Sequence, residues 1–371
     1  MIFQGTRPRR AGGWRSLALC ALASLAAACS TTTAPADGTA DSRAPELDVA
    51  GLESFVRQEM AGTGVPGLSM AVIRDGEIAY SGGFGVRNAQ TGGAVTTDTL
   101  FEAASLSKPV FAYFAMLQVE KGVIELDRPL YEYLPHPDLP DDPRAQELTA
   151  RMVLTHATGL PNWRSYTGGV LQFVFDPGTR YGYSGEGYEY LRRVLRHELG
   201  VNDDGLQAVF QAEVADEIGA DFMSYTWDAS IPERKTFGHR NGIPTDNDGH
   251  DMNFGAAYSL NTTAEDYARF LTALIRPDAS RAGTVERLLA VQDTMPAEEG
   301  ELHRSLGFQI KATAHGLRYD HFGDNGDFRS YCHFSLDSGD GLVLFGNSDA
   351  LFSSGLARRI VEHLGEEWVY D

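Results

Sequence analysis

At 371 residues the chain is long enough for about two compact units and a large core that needs no covalent staples. Its ordinary composition, 43% hydrophobic and 22% charged with 40 glycines and 16 prolines, excludes a disordered, collagen-like or coiled-coil chain. The net charge of −20, with four lysines (Lys108, Lys121, Lys235 and Lys311), excludes a nucleic-acid partner, because such a surface repels phosphate backbones, and disfavours binding to anionic membrane surfaces.

The first 15 residues carry Arg7, Arg9, Arg10 and Arg15 and no acid, and the apolar run Leu17–Ala28 follows. A basic flank, a short apolar run and small residues at its end are the pattern of an export signal; a membrane-spanning helix needs about 20 apolar residues. Ala26-Ala27-Ala28-Cys29 resembles the lipobox of bacterial lipoproteins, with leucine one place early, and Ala26 and Ala28 also satisfy plain A-x-A cleavage. The expectation is an exported, periplasmic protein, lipid-anchored at Cys29 or else soluble. Residues 1–29 are thus the signal and 30–45, rich in Thr, Ala, Pro and Asp, a tether too polar to fold. Of the three cysteines, Cys20 and Cys29 belong to this segment, so Cys332 has at most Cys29 to pair with; a disulfide framework or zinc cysteine cluster is excluded.

The folded domain is expected over 46–371. Leu52, Phe55, Val56 and Met60 have helical spacing within 47–60, stopped by Gly62. Asp75-Gly76 between the apolar runs 67–74 and 77–83 predicts a hairpin. Val110–Val119 is apolar on every side, which predicts a buried helix closed by Gly122. From 127 to 253 the texture changes to clustered prolines, polar loops and helical stretches at 150–155, 189–199 and 205–218. Thr263-Ala-Glu-Asp266 reads as a capping box opening a helix to Ile275. Strands are expected at 305–312, 317–322, 328–336 and 342–346, then a helix at 355–364. The predicted class is α+β: a largely antiparallel sheet made by strands from both ends (46–126 and 254–371), flanked by helices, with a mainly helical part (127–253) inserted.

The chemistry starts at Ser105-Leu-Ser-Lys108. Pro109 fits only a first helical turn, so the helix must begin near Ser105 and place its hydroxyl at a helix N-terminus, where free N–H groups favour developing negative charge. Lys108, three residues on, shares that face; desolvation beside an apolar helix would lower its pKa and let it accept the serine proton. Ser105 as a helix cap and Lys108 as a solvated charge is the bland alternative. Asp246-Asn-Asp-Gly-His-Asp251 has its glycine at the fourth place and fails the EF-hand pattern, and there is no HExxH. Ser184 has Glu186 two places on, so the Gly-x-Ser-x-Gly elbow of α/β-hydrolases is missing.

Six blocks carry a resemblance to the serine β-lactamase and penicillin-binding-protein superfamily, its class C-like branch in particular: Val65–Val72 (VPGLSMAV), Phe101–Lys108 (FEAASLSK), Leu154–Pro161 (LTHATGLP), Asp176–Ser184 (DPGTRYGYS), Thr263–Asp266 (TAED) and His321–Ser330 (HFGDNGDFRS). They fall in the family's order. The resemblance implies a β-lactamase/transpeptidase-like fold, no cofactor and no metal. It makes Ser105 the acylated nucleophile and Lys108 its activating partner. Tyr183 falls where the family's Tyr-x-Asn tyrosine falls, and as a phenolate could take the serine proton. His321-x-Gly323 stands at the substrate-facing strand edge, where Gly323 would let substrate approach and the Asp324 N–H would join that of Ser105 as the oxyanion hole.

Two departures qualify the substrate. Gly185 replaces the motif asparagine, and His321 stands in place of the usual lysine, leaving less fixed positive charge for a substrate carboxylate; Arg329 could compensate or form a surface ion pair. The expectation is therefore a serine hydrolase acting on small esters, amides or D-amino-acid peptides, including peptidoglycan-derived ones. A true class C-like β-lactamase, a D-Ala-D-Ala carboxypeptidase, and a catalytically silent cell-wall binding protein are the alternatives.

Overall fold

The computed structural model describes residues 47–370 apart from 229, 246–252, 293–294, 298–299 and 315; the signal-like segment with Cys29, the tether and the Asp246–Asp251 loop lie outside the described residues. Leu47–Asp371 forms one compact unit.

Among the described residues nine antiparallel strands make the central sheet. In chain order they are β1 (Gly67–Arg74), β2 (Glu77–Asn88), β3 (Gly92–Ala94), β4 (Met295–Ala297), β5 (Gly300–Arg304), β6 (Gln309–Thr313), β7 (Gly316–Asp324), β8 (Arg329–Ser335) and β9 (Gly341–Gly346). Their spatial order is β3-β2-β1-β9-β8-β7-β6-β5-β4. The N-terminal and C-terminal strands meet at the centre, where β1 pairs with β9 from Leu68↔Gly346 to Ile73↔Gly341. Asp75 and Gly76 both have positive φ (51° and 72°), the two-residue turn whose twist matches its flanking strands.

Both faces of the sheet are covered, which is why β1 reads as a continuous apolar run rather than an alternating one. Leu68, Met70 and Val72 face a layer made by the first and last helices, α1 (Val49–Met60) and α6 (Leu356–His363). Ala71 and Ile73 face the larger core, built on α2 (Ser107–Glu120) and α4 (Ala264–Ile275). Every residue of α2 from Ser107 to Gln118 is buried, as its all-round apolar sequence requires. Gly122 takes φ 72° just past its end. Cys332 is a buried free thiol in β8.

Several expected boundaries shift for local reasons. The helix expected at 189–199 is α3, Gly185–Glu198, because the Ser184 Oγ accepts from the Gly187 N–H and caps it four residues earlier. The stretch expected as one helix over 205–218 is a helix at Asp203–Phe210, capped by Asn202, followed by a π-type turn at Gln211–Ala215. Thr263 caps α4 as expected, accepting from the Asp266 N–H at 3.0 Å. The Asp266 carboxylate, however, accepts from the backbone of Asp221 and Phe222, tying the preceding segment to the helix rather than closing the box. The strand expected at 305–312 is a hairpin instead: Arg304 pairs with Gln309, and Gly307 (φ 102°) lies in the turn between them. The helix α5 (Ala282–Leu289), the edge strands β3 and β4, and β5 next to β4 were not anticipated.

Candidate active site

The turn carrying Ser105 is held by buried polar groups reaching it from elsewhere in the chain. Ala104–Leu106 is a 3-10 turn leading into α2, and Ala104 sits at φ 50°, a conformation alanine seldom adopts and one that needs support from its surroundings. That support is specific. Ser107 Oγ donates to the Ala104 carbonyl at 2.5 Å and accepts from the Leu260 N–H at 3.1 Å. The Tyr267 hydroxyl donates to the Leu106 carbonyl at 3.0 Å and the Tyr225 hydroxyl to that of Ser107 at 2.6 Å. Ser105 is not a helix cap, which disposes of the bland reading: neither the turn nor α2 has a side-chain cap, and the Ser105 hydroxyl faces Lys108 instead.

Lys108 is fully buried, with Nζ donating at 3.2 Å to Ser105 Oγ and at 2.8 Å to the Ala257 carbonyl. Burial, reinforced by the charge of Arg304 and opposed by Glu189, brings its pKa down to about 7. The ammonium lies 4.6 Å from the Tyr183 ring centroid. Burial pushes the Tyr183 phenol well above its ordinary range, against the pull of its hydrogen bond to Ser105. A lowered amine beside a raised phenol makes a neutral Lys108 accessible near pH 7 while the Tyr183 phenol stays protonated, an arrangement in which the amine can accept the serine proton and a phenolate is disfavoured.

His156 positions Tyr183. Its Nδ1 accepts from the Ser184 N–H at 3.1 Å, its carbonyl from the Gly182 N–H at 2.8 Å, and its ring packs 4.3 Å from the Tyr183 ring. Burial holds both His156 and His321 well below the usual imidazole range, so both are neutral near pH 7. His321 Nδ1 contacts the Phe322 carbonyl at 2.7 Å.

The strand edge of β7 completes the wall opposite Ser105. Gly323 is required by a close approach besides the one expected: a Cβ there would run into Ser330 Oγ and lie 2.7 Å from the Ala103 carbonyl, so that face packs on the nucleophile turn. The strand beyond is moored to the same turn, since Asn325 Nδ2 donates at 2.7 Å to Glu102, itself paired with the buried Lys235. Arg329 forms an ion pair with Asp324 at 2.6 Å and adds no free charge to the site. Ser105, Tyr183, His321, Gly323 and Asp324 all line one cavity of about 1010 Å³. Among the described residues no group of three or more His, Cys, Asp or Glu could hold a metal.

Residues 52–365 match the Beta-lactamase family. The chain belongs to that family. A β-lactamase from Yersinia enterocolitica is 24% identical over 302 residues, 76% of this chain and 74% of that one. Esterase EstB from Burkholderia gladioli is 33% identical over 134 residues, which covers 36% of this chain and 34% of the esterase. Among solved structures, a D-alanine carboxypeptidase AmpC from Burkholderia cenocepacia superposes with TM-score 0.71 at 22% identity, covering 85% of this chain and 99% of that one. A class C β-lactamase gives 0.72 at 19%, covering 88% and 99%. These superpositions show the fold, a β-lactamase/transpeptidase-like one; the family is one of serine hydrolases.

Within this Beta-lactamase-family chain the motif glycine has a structural cause. A Cβ on Gly185 would sit 2.7 Å from the Trp163 ring and 3.0 Å from the Asn162 carbonyl, so the indole already fills the space a side chain would take. The Asn162 Oδ1 accepts from the Gly185 N–H at 3.0 Å, and Trp163 stands edge-on to Tyr258 across the cavity wall. Gly185→Ala should therefore destabilise the fold by about 1–3 kcal/mol through overpacking. Thermal melts should show a smaller penalty for it in a Trp163→Ala background; an equal penalty in both backgrounds would refute the steric account. Sequence reasoning gave Trp163 and His156 no chemistry and passed over Arg304, which also lines the cavity.

Proposed function

We propose that the chain is a serine hydrolase that forms an acyl-enzyme on Ser105 and acts on small esters or amides, with D-amino-acid peptides the neighbouring substrate class. The observation that carries this reading is the 3.2 Å contact between Ser105 Oγ and a buried Lys108 whose pKa lies near 7, so that an accessible hydroxyl has a proton acceptor ready at neutral pH. In the reaction Lys108 takes the hydroxyl proton as Oγ bonds to the substrate carbonyl carbon. The N–H groups of Ser105 and Asp324 receive the oxyanion. Collapse expels the leaving group, which takes the proton from Lys108; a water then repeats the sequence in reverse and frees the acid. The neutral His321 and the Trp163 ring in place of a motif asparagine favour ester over β-lactam hydrolysis.

The full chain incubated with a fluorophosphonate should gain one adduct by intact mass, and Ser105→Ala none. A folded wild-type protein that takes no adduct would mean a binding protein instead. The export pattern ending at Cys29 completes the proposal: the hydrolase would work outside the cytoplasm, lipid-anchored or soluble.

A further inference from the structure

The amine of Lys108 rests on a peptide that a second ionisable side chain holds from the other side. Ala257 lies in the turn at 255–258, outside helix and sheet, where a backbone N–H and carbonyl must find partners elsewhere. Its carbonyl accepts from Lys108 Nζ at 2.8 Å, and its N–H donates to Glu189 Oε1 at 3.0 Å. Glu189 is fixed in turn. Its Oε2 accepts from Arg192 Nε at 2.9 Å, and Arg192 Nη1 donates to Asp203 at 2.8 Å. The contacts thus run without a break from Asp203 through Arg192, Glu189, Ala257 and Lys108 to Ser105. Helix α3 supplies this support in its second turn. Gly185, at its start, brings no side chain, and Glu186 pairs with Arg164, whereas Glu189 lies one turn beyond Gly185 on the same face.

We propose that Glu189 is the positioning residue of the proton acceptor: through the Ala257 peptide it holds the Lys108 amine within reach of Ser105, and it supplies the negative charge that answers the ammonium formed when the serine proton is taken. The proposal rests on the acyl-enzyme reading above. Lys108 is faced by Glu189 from α3, by Arg304 from β5, by the neutral His156 and His321, and by the rings of Tyr183 and Tyr188. Glu189 is the negative group among these. It faces Arg192 on its own helix, Lys108 on α2 and the buried Tyr225, and the Arg192 guanidinium pulls against the burial that raises its pKa. Negative charge favours the ammonium, so its removal lowers the pH at which the amine becomes free.

The rate at which a fluorophosphonate labels Ser105, followed against pH in the full chain, tests this in the wild type, Glu189→Gln and Glu189→Leu. In the wild type the rate should rise through about pH 7 and level off. Glutamine keeps an oxygen for the Ala257 N–H but loses the charge. Its midpoint should move down by about half a pH unit or more, and its plateau should fall by less than about fivefold. Leucine loses both, so the same downward move should come with a plateau about 10- to 100-fold below wild type, the scale of a slight misplacement. A merely structural role would lower the melting temperature of both variants and leave the midpoint where it was. An unmoved midpoint, or equal plateaus in the two variants, overturns the assignment while the acyl-enzyme reading stands. Should one variant fail to fold, the midpoint of the other decides; loss of folding in both would make Glu189 a structural residue and overturn it too. A folded wild type that takes no label overturns the acyl-enzyme reading, and the positioning role with it.

Discussion

Ser105→Ala should lower kcat by at least about 10⁴-fold, the scale on which a covalent nucleophile acts as one unit with its base. Its stability should hardly change, with the melting temperature within about 2 °C of wild type. The two halves of this expectation have separate grounds. The hydroxyl caps nothing, and the strained turn around it is carried by Ser107, Tyr225 and Tyr267, none of which the substitution touches. What the substitution removes is the atom 3.2 Å from the lysine amine. Turnover that survives in a folded Ser105→Ala protein would rule out the acyl-enzyme on this residue.

Lys108→Met should cost about 10²–10⁴ in kcat, the usual worth of a positioned base, and should change the pH profile as well as its height. In the wild type, kcat/KM should rise with pH through about 7 and then level off, because only the neutral amine accepts the serine proton. The groups that set this midpoint are named by the geometry: burial first, then Glu189, which raises it, and Arg304, which lowers it. Methionine keeps the volume and apolar stem in a fully buried position, leaving the Ala257 carbonyl without its partner, so a lower melting temperature equivalent to about 1–3 kcal/mol is expected. The rise near pH 7 should vanish in the variant. A profile with the same midpoint in Lys108→Met would transfer the proton to another group, with His321 and Tyr183 the nearest candidates.

How much of this was legible in the sequence depends on how far apart the interacting residues lie. The hairpin at Asp75-Gly76, the buried α2 behind Pro109 and the Thr263 cap are governed by neighbours within a few residues, and each is where its local signal puts it. Three of the family-like blocks likewise mark the elements that carry Ser105, Tyr183 and His321 to one cavity, with Lys108 buried behind Ser105. What could not be read is set by distant partners. Arg304, on a short strand with no apolar run to announce it, meets a tyrosine 123 positions earlier. Gly185 reads as a departure that changes the substrate, and the Trp163 ring that occupies its side-chain space is not announced by its own neighbours in the chain. Gly323 lines the cavity as expected of a residue that makes room for a ligand, but its close approach to Ala103 and Ser330 could not be read. The type of residue was informative in both glycines; the identity of the neighbour was not.

The pairing of β1 with β9 dictates an order of events when the polypeptide is synthesised. Ser105 and Lys108 emerge from the ribosome well before the strands that wall their cavity and the strand that closes the sheet against β1. Until Gly341–Gly346 has been made, β1 presents an open, apolar edge, and the Ala103–Ala104 turn has no Gly323 to rest on. Such long-range closure is slow, and the waiting half is prone to wrong pairings. Chains truncated before β9 should therefore be inactive and bound by chaperones, and activity should require Gly341–Gly346.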